Sequence, residues 1–230
     1  MSKNLCIIPA RGGSKRIPRK NIKDFLGKPI IAYSIEAALE SKLFDEVMVS
    51  TDDEEIAEVG ENYGAHVPFM RSNKNADDYA TTADVLLEVL EDYKKLGKTF
   101  ENICCIYPTA PFITEVKLTE AFEKLSAENL DAVFPVIPFS YPIQRALKFE
   151  NTRLKFFSPE HENSRSQDLE KAYHDVGQFY FLKIIDFERN KSFFGKQTGG
   201  IIISELEAQD IDSESDWVLA EIKYKLKSRR

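Results

Sequence analysis

No stretch of 18 apolar residues occurs in this chain, and its opening Met-Ser-Lys-Asn has neither the charged nor the apolar region of a secretory leader. The expectation is a cytoplasmic protein with no membrane partner. Cysteine is scarce: Cys6, Cys104 and Cys105 are odd in number, lack metal-ligand spacing and fall in apolar runs, so they read as reduced core thiols. The chain has no internal repeat, no low-complexity tract, no Walker G-x-x-x-x-G-K-[ST] and no dinucleotide-binding G-x-G-x-x-G. No Ser/His/Asp or Cys/His arrangement supports hydrolase chemistry. His174 and Asp175 are adjacent, and in an extended strand they point to opposite faces and cannot form a relay. Basic excess is missing too. A net charge of −7 over 230 residues argues against a nucleic-acid partner.

What is present fits one soluble domain, 1–230, with a sizeable core: 43% of residues are apolar and 30% charged. The most informative stretch is CIIPARGGSKRIPRKNIKDFLGKP, Cys6 to Pro29. It begins as a buried strand and breaks at Pro9 into a loop. Between Ala10 and Pro29, Arg11, Lys15, Arg16, Arg19, Lys20, Lys23 and Lys28 face a single acid, Asp24. Gly12-Gly13-Ser14 allows the backbone to take φ > 0 and turn its N–H groups inward as an anion nest. Lysine and arginine supply the full charges that a polyphosphate needs. A solvated surface is the plainer reading of such a loop. Its place, at the carboxyl end of a first strand, favours ligand binding.

Beyond the loop, Pro29 opens a helix with Ile30, Ser34, Ala37 and Ala38 on one face. Strands are expected at 45–50, 66–70, 102–107, 131–138, 173–182 and 200–204. Helices are expected from Thr51-Asp52-Asp53-Glu54 to Gly64, over 82–96, from Thr114 to about Ala127, and from about Ser213 with Val218, Leu219, Ile222 and Leu226 inward. This alternation implies a mostly parallel sheet with helices on both faces. The rhythm breaks over 139–172, a polar segment read as an inserted hairpin and mobile arm, either lid or subunit contact.

Asp210 and Asp212 follow the last strand. Two carboxylates one residue apart share a side if the backbone is extended, and such a pair suits Mg²⁺, which takes one or two carboxylates plus phosphate oxygens and water. The alternative is an acidic helix N-terminus favoured by the helix dipole. Arg71 precedes a helix capped by Thr81 or Thr82 and could face the same crevice, or simply balance Asp77 and Asp78.

IPARGGSKRIPRKNI, GKPIIAYSI, STDDEEIA, YPTAP and QDIDSESDW, in order along nearly the whole chain, resemble the acylneuraminate cytidylyltransferase family, the CMP-nonulosonic acid synthetases. The resemblance implies a Rossmann-like α/β nucleotidyltransferase fold with an inserted dimerisation arm at 139–172. It implies transfer of CMP from CTP to the anomeric hydroxyl of a nine-carbon 2-keto acid, with Mg²⁺ and release of pyrophosphate, and a homodimer. By motif, Arg11, Ser14, Lys15 and Lys20 would hold the CTP phosphates, with Arg11, Lys15 and Lys20 catalytic, and Ala10, Gly12 and Gly13 would bind the nucleotide in the same loop. Asn21 would contact ribose, Arg71 would sit near the cytosine with Thr81 also binding the nucleotide, and Asp210 and Asp212 would bind the metal.

The chain departs from the sialic acid members at Arg16, at Tyr107 (Gln there) and at Val176-Gly177-Gln178-Phe179-Tyr180. Ser140 to Leu147 and HDVGQFY look more like the pseudaminic acid branch. Tyr107, Gln178 and Tyr180 would then line the sugar pocket and Arg145 would meet the sugar carboxylate. Tyr107 replaces an amide with an aromatic face, suited to a deoxy, methyl-ended tail. Sialic or legionaminic acid is the alternative substrate. The ketodeoxyoctonate branch fits less well, given Tyr107 and D-I-D, and so does a CTP-binding regulator without catalysis.

Overall fold

The computed structural model describes residues 3–77 and 79–227. The first apolar run forms β1 (Asn4–Pro9), and the basic loop ends in a two-stranded ribbon, β2 (Asp24–Phe25) and β3 (Lys28–Pro29). Then come α1 (Ile30–Ser41), β4 (Glu46–Ser50), α2 (Glu54–Asn62), α3 (Thr82–Lys95), β5 (Asn102–Ile106), α4 (Glu115–Ala127) and β6 (Ala132–Pro138). The irregular segment carries a hairpin, β7 (Leu147–Glu150) and β8 (Arg153–Phe156). The chain closes with β9 (Tyr173–Asp175), β10 (Phe179–Lys183), α5 (Ile184–Asn190), β11 (Thr198–Ile202) and α6 (Glu214–Lys227).

The main sheet has the order β11-β6-β10-β5-β1-β4, with β9 paired to β6. β1 is parallel to both β4 and β5, and β6 to β11, while β10 runs antiparallel between β5 and β6. Alternation along β1 builds both faces: Cys6 and Ile8 join one core with Ile31 and Ile35 of α1 and Leu118 of α4. Leu5 and Ile7 join the other with Leu86 and Leu90 of α3 and Phe187 of α5. This is the two-residue period of a strand buried on both sides.

A third cluster does the positioning. Ile17 and Phe25 of the basic segment, Ile30 and Tyr33 of α1, Phe112, Ile211 and Trp217 pack together, and all are buried. Phe25 meets Tyr33 and Trp217 edge to face at 5.5 and 5.6 Å. Ile17 lies in the cationic loop and Ile211 between the two aspartates. Their shared burial fixes one loop against the other.

Several local expectations are corrected. Val218, Leu219, Ile222 and Leu226 point outward, 43–55% exposed, while Trp217 and Ala220 are buried. α6 packs on the third cluster rather than on the sheet, and its contact stripe is the narrow row Trp217, Ala220 and Tyr224. Strand 66–70 reduces to a bridge between His66 and Met48, since Pro68 has no N–H to extend it. The run 173–182 splits into β9 and β10 around Gly177, whose φ of +60° makes the turn. Pro29 sits at the cap of α1, one residue before the helix. The last strand starts at Thr198 and stops at Ile202. In the 139–172 segment the hairpin is present, with Phe149, Leu154 and Phe157 56–76% exposed.

Candidate active site

From β1 the chain crosses to β4 on one side and returns through α3 to β5 on the other. The loops leaving β1 and β5 therefore diverge, and an open α/β sheet has its ligand crevice at that point. A cavity of about 450 Å³ fills it. The loop after β1 contributes Arg11, Ser14, Lys15, Arg16, Lys20 and Asn21; the loop after β5 contributes Tyr107, Pro108 and Thr109; Asp210 closes the wall.

Local contacts hold this loop in shape. Asn21 is buried and its Nδ2 donates to Arg11 O at 2.9 Å. The Arg11 guanidinium donates to Asp77 O at 3.0 Å. Arg19, in the left-handed region at φ 55°, hydrogen-bonds Asp53 at 3.0 Å and also pairs with Glu55. Gly12 and Gly13 are not at positive φ, contrary to the nest expectation. Glycine is required at position 12 by proximity, because a β-carbon there would lie 2.6 Å from Asp53 Oδ2. The Gly12 N–H donates to Asp52 Oδ1 at 2.9 Å.

Lys20 spans the two halves of the site. Its Nζ donates to Ile211 O at 2.7 Å and lies 3.9 Å from Asp212 Oδ1. Burial lowers its pKa, and the nearby Asp212 and Asp210 recover part of that loss. Asp210 has the converse problem: burial raises its carboxyl pKa, and the Asp212 charge raises it further. Two mutually repelling carboxylates fit a cation between or beside them. Among the described residues there is no group of three or more His, Cys, Asp or Glu that could hold a metal. Two carboxylates are a donor set that suits an ion completing its shell with phosphate and water.

A second cavity, of about 600 Å³, adjoins the first, and Asp210 lines both. Ile137, Val176 and Ala208 give it an apolar side, and His174, Asp175, Tyr180, Gln209 and Lys223 a polar one. Asp175 accepts from Gly177 N at 2.9 Å and from the Tyr180 hydroxyl. The Tyr180 ring is backed by Phe193 and Phe134, at 4.7 and 5.4 Å between centroids. The turn leading to Asp210 is pinned from three elements. Lys117 pairs with Glu207 at 3.0 Å, Gln178 Nε2 donates to Glu207 O at 2.6 Å, and Lys223 Nζ donates to Ala208 O at 2.8 Å.

Of the residues singled out from sequence, Arg11, Ser14, Lys15, Lys20, Asn21, Tyr107 and Asp210 share the first cavity, and Tyr180 lines the second. Asp212 is held beside the first cavity by Arg16, at 2.7 Å. Tyr107 is on the nucleotide-loop side rather than in the second cavity, with its hydroxyl pKa pushed up to about 12 by burial. Gln178 lines neither cavity; it is buried and fastens the Glu207 turn. Arg71 is buried and donates to Ser50 Oγ at 3.1 Å and to Ser50 O, stiffening the end of β4. Thr81 caps α3 in a reciprocal box with Asp84, and Ala10 N bonds Ser50 O at 2.9 Å. Arg145 sits in a short turn, Ile143–Arg145, away from both cavities. His174 and Asp175 do not pair through their side chains; the His174 ring contacts Asp175 O. Sequence reasoning missed the shared role of Arg16 and the placement of His174, Asp175 and Gln209 around one cavity. The cationic run held the signal for Arg16.

A sheet of this order, with a cationic first loop facing a carboxylate pair, has the architecture of an α/β nucleotidyltransferase. A solved CMP:2-keto-3-deoxy-manno-octonic acid synthetase in complex with CTP superposes with a TM-score of 0.69 at 18% identity, covering 100% of both chains. The chain belongs to the cytidylyltransferase family, whose model matches residues 5–203. It is 46% identical to a pseudaminic acid cytidylyltransferase of Campylobacter jejuni over 97% of each chain. It is 33% identical to a CMP-N,N'-diacetyllegionaminic acid synthase of Legionella pneumophila over 94% of each.

Proposed function

We propose that this chain transfers CMP from CTP to pseudaminic acid. The observation that carries this reading is the pair of cavities meeting at Asp210, one cationic and one mixed apolar and polar. The higher identity to the pseudaminic enzyme than to the legionaminic one, 46% against 33%, supports that sugar. A legionaminic or neuraminic acid is the second reading.

The chemistry required is in-line attack of the anomeric hydroxyl oxygen on the α-phosphorus of CTP. A new O–P bond forms, the bond to the β-phosphate oxygen breaks, and pyrophosphate leaves. Negative charge builds on phosphoryl oxygens, so fixed cations aimed there stabilise the transition state. Arg11, Lys15 and Lys20 hold the triphosphate, and Asn21 keeps their loop in register. Mg²⁺ held by Asp210 and Asp212 would supply charge neutralisation at the phosphates and lower the pKa of a bound hydroxyl. Tyr180, backed by its aromatic neighbours, gives the sugar a rigid wall.

Pyrophosphate release from CTP and pseudaminic acid is expected to stop in EDTA and to return when Mg²⁺ is restored. Turnover that persists through exhaustive chelation would remove the metal from this account. The exposed Phe149, Leu154 and Phe157 of the 139–172 segment support a homodimer joined through that arm, since a monomer seldom leaves so many large apolar side chains in water. Light scattering at micromolar concentration should give twice the 26.3 kDa chain mass; the single mass would contradict it.

A further inference from the structure

Asp212 is engaged by a cation of its own chain. Arg16 NH2 lies 2.7 Å from Asp212 Oδ1, and Lys20 Nζ approaches the same oxygen at 3.9 Å. Arg16 also lines the cationic cavity, beside Lys15 and Lys20. Its side chain is 69% exposed and that of Asp212 44%, so the pair is held in solvent rather than packed. An ion pair of that kind contributes little to stability and is easily exchanged.

We propose that Arg16 is an exchangeable counter-ion: it occupies Asp212 while metal and nucleotide are absent, and moves onto the triphosphate when they bind. The inference rests on reading Asp210 and Asp212 as metal carboxylates. A divalent cation on the Asp212 carboxylate repels a guanidinium on the same group and so weakens the Arg16 contact. The guanidinium released from Asp212 is already at the wall of the cavity that takes the phosphates, so side-chain rotation alone completes the transfer. Its planar fork is suited to phosphate oxygens. Lys20 cannot take this part, because its Nζ is anchored on Ile211 O and its side chain is only 19% exposed. Arg16 is thus a positioning residue in the resting enzyme and a phosphate ligand in the loaded one.

The test is binding rather than turnover, with Mn²⁺ as a paramagnetic probe followed by its free-ion EPR signal. Without nucleotide, Arg16→Ala is expected to bind Mn²⁺ more tightly than the unaltered protein, by up to about fivefold, the upper end of what a surface ion pair is worth. With Mn²⁺ saturating, the same variant is expected to bind CTP more weakly. Arg16→Lys should fall between the two proteins in both measurements. Opposite signs in the two arms support the exchange. Unchanged or weaker Mn²⁺ binding by Arg16→Ala overturns it, as does tighter CTP binding. Asp212→Asn separates the two levels of the argument. If it loses Mn²⁺ while Arg16→Ala is unchanged, the exchange alone fails; if it binds Mn²⁺ normally, the metal reading and the exchange fail together.

Discussion

Lys20→Ala is expected to lower turnover by about 10²–10³-fold, the cost of removing one preorganised stabiliser of developing charge. The geometry makes Lys20 harder to replace than the other cations of its loop. Its Nζ is fixed at 2.7 Å from Ile211 O and stands near both aspartates, so its charge is placed between the cationic cavity and the carboxylates without further ordering. Loss of the side chain also leaves the Ile211 carbonyl without this donor, at the centre of the Asp210-Ile211-Asp212 segment. The effect should appear mainly in kcat, because charge on the phosphates rises towards the transition state. A melting temperature close to that of the unaltered protein is the control for folding, since the apolar anchors Ile17 and Ile211 remain in place. A folded Lys20→Ala enzyme with near-normal turnover would remove Lys20 from the catalytic account.

Much of the sheet was legible in the sequence because its strands are buried on both faces. Runs such as Leu5-Cys6-Ile7-Ile8 and Asn102-Ile103-Cys104-Cys105-Ile106 are too short for helices and are bounded by breakers, and Asp53, Thr81 and Thr114 mark helix starts by capping chemistry that is local. Tertiary effects were not legible. α6 has a wide apolar face in its sequence, but it is Trp217, Ala220 and Tyr224 that join the third cluster, and no periodicity reveals which part of a stripe will be covered. The site shows the same division. The cationic loop and the aspartate pair could be read as motifs, because each is contiguous. Arg71 and Gln178, expected to contact nucleotide and sugar, also have partners within the protein: each is polar beside a loop, and one bonds Ser50 and the other Glu207 O. Buried polar side chains that satisfy backbone carbonyls leave no signature that separates them from side chains facing a ligand.

The second large effect concerns the sugar. The cavity beyond Asp210 sets Ile137, Val176 and Ala208 against the rigid ring of Tyr180, a surface suited to a methyl-ended tail. A hydroxylated tail there would lose its hydration without gaining matched partners on the apolar side. Discrimination of that kind by an apolar wall amounts to about 10²-fold, so kcat/KM for pseudaminic acid is expected to exceed that for N-acetylneuraminic acid by that order. With Tyr107 in the first cavity and Gln178 buried, the discriminating groups are those of this second wall.

Pyrophosphate release from CTP and Mg²⁺, measured side by side with pseudaminic, legionaminic and N-acetylneuraminic acids, tests the central claim most directly. The account predicts fastest release with pseudaminic acid. Preference for either other sugar would contradict the assignment of the second cavity while leaving the enzyme class intact, and CTP binding without release from any of the three would contradict catalysis itself.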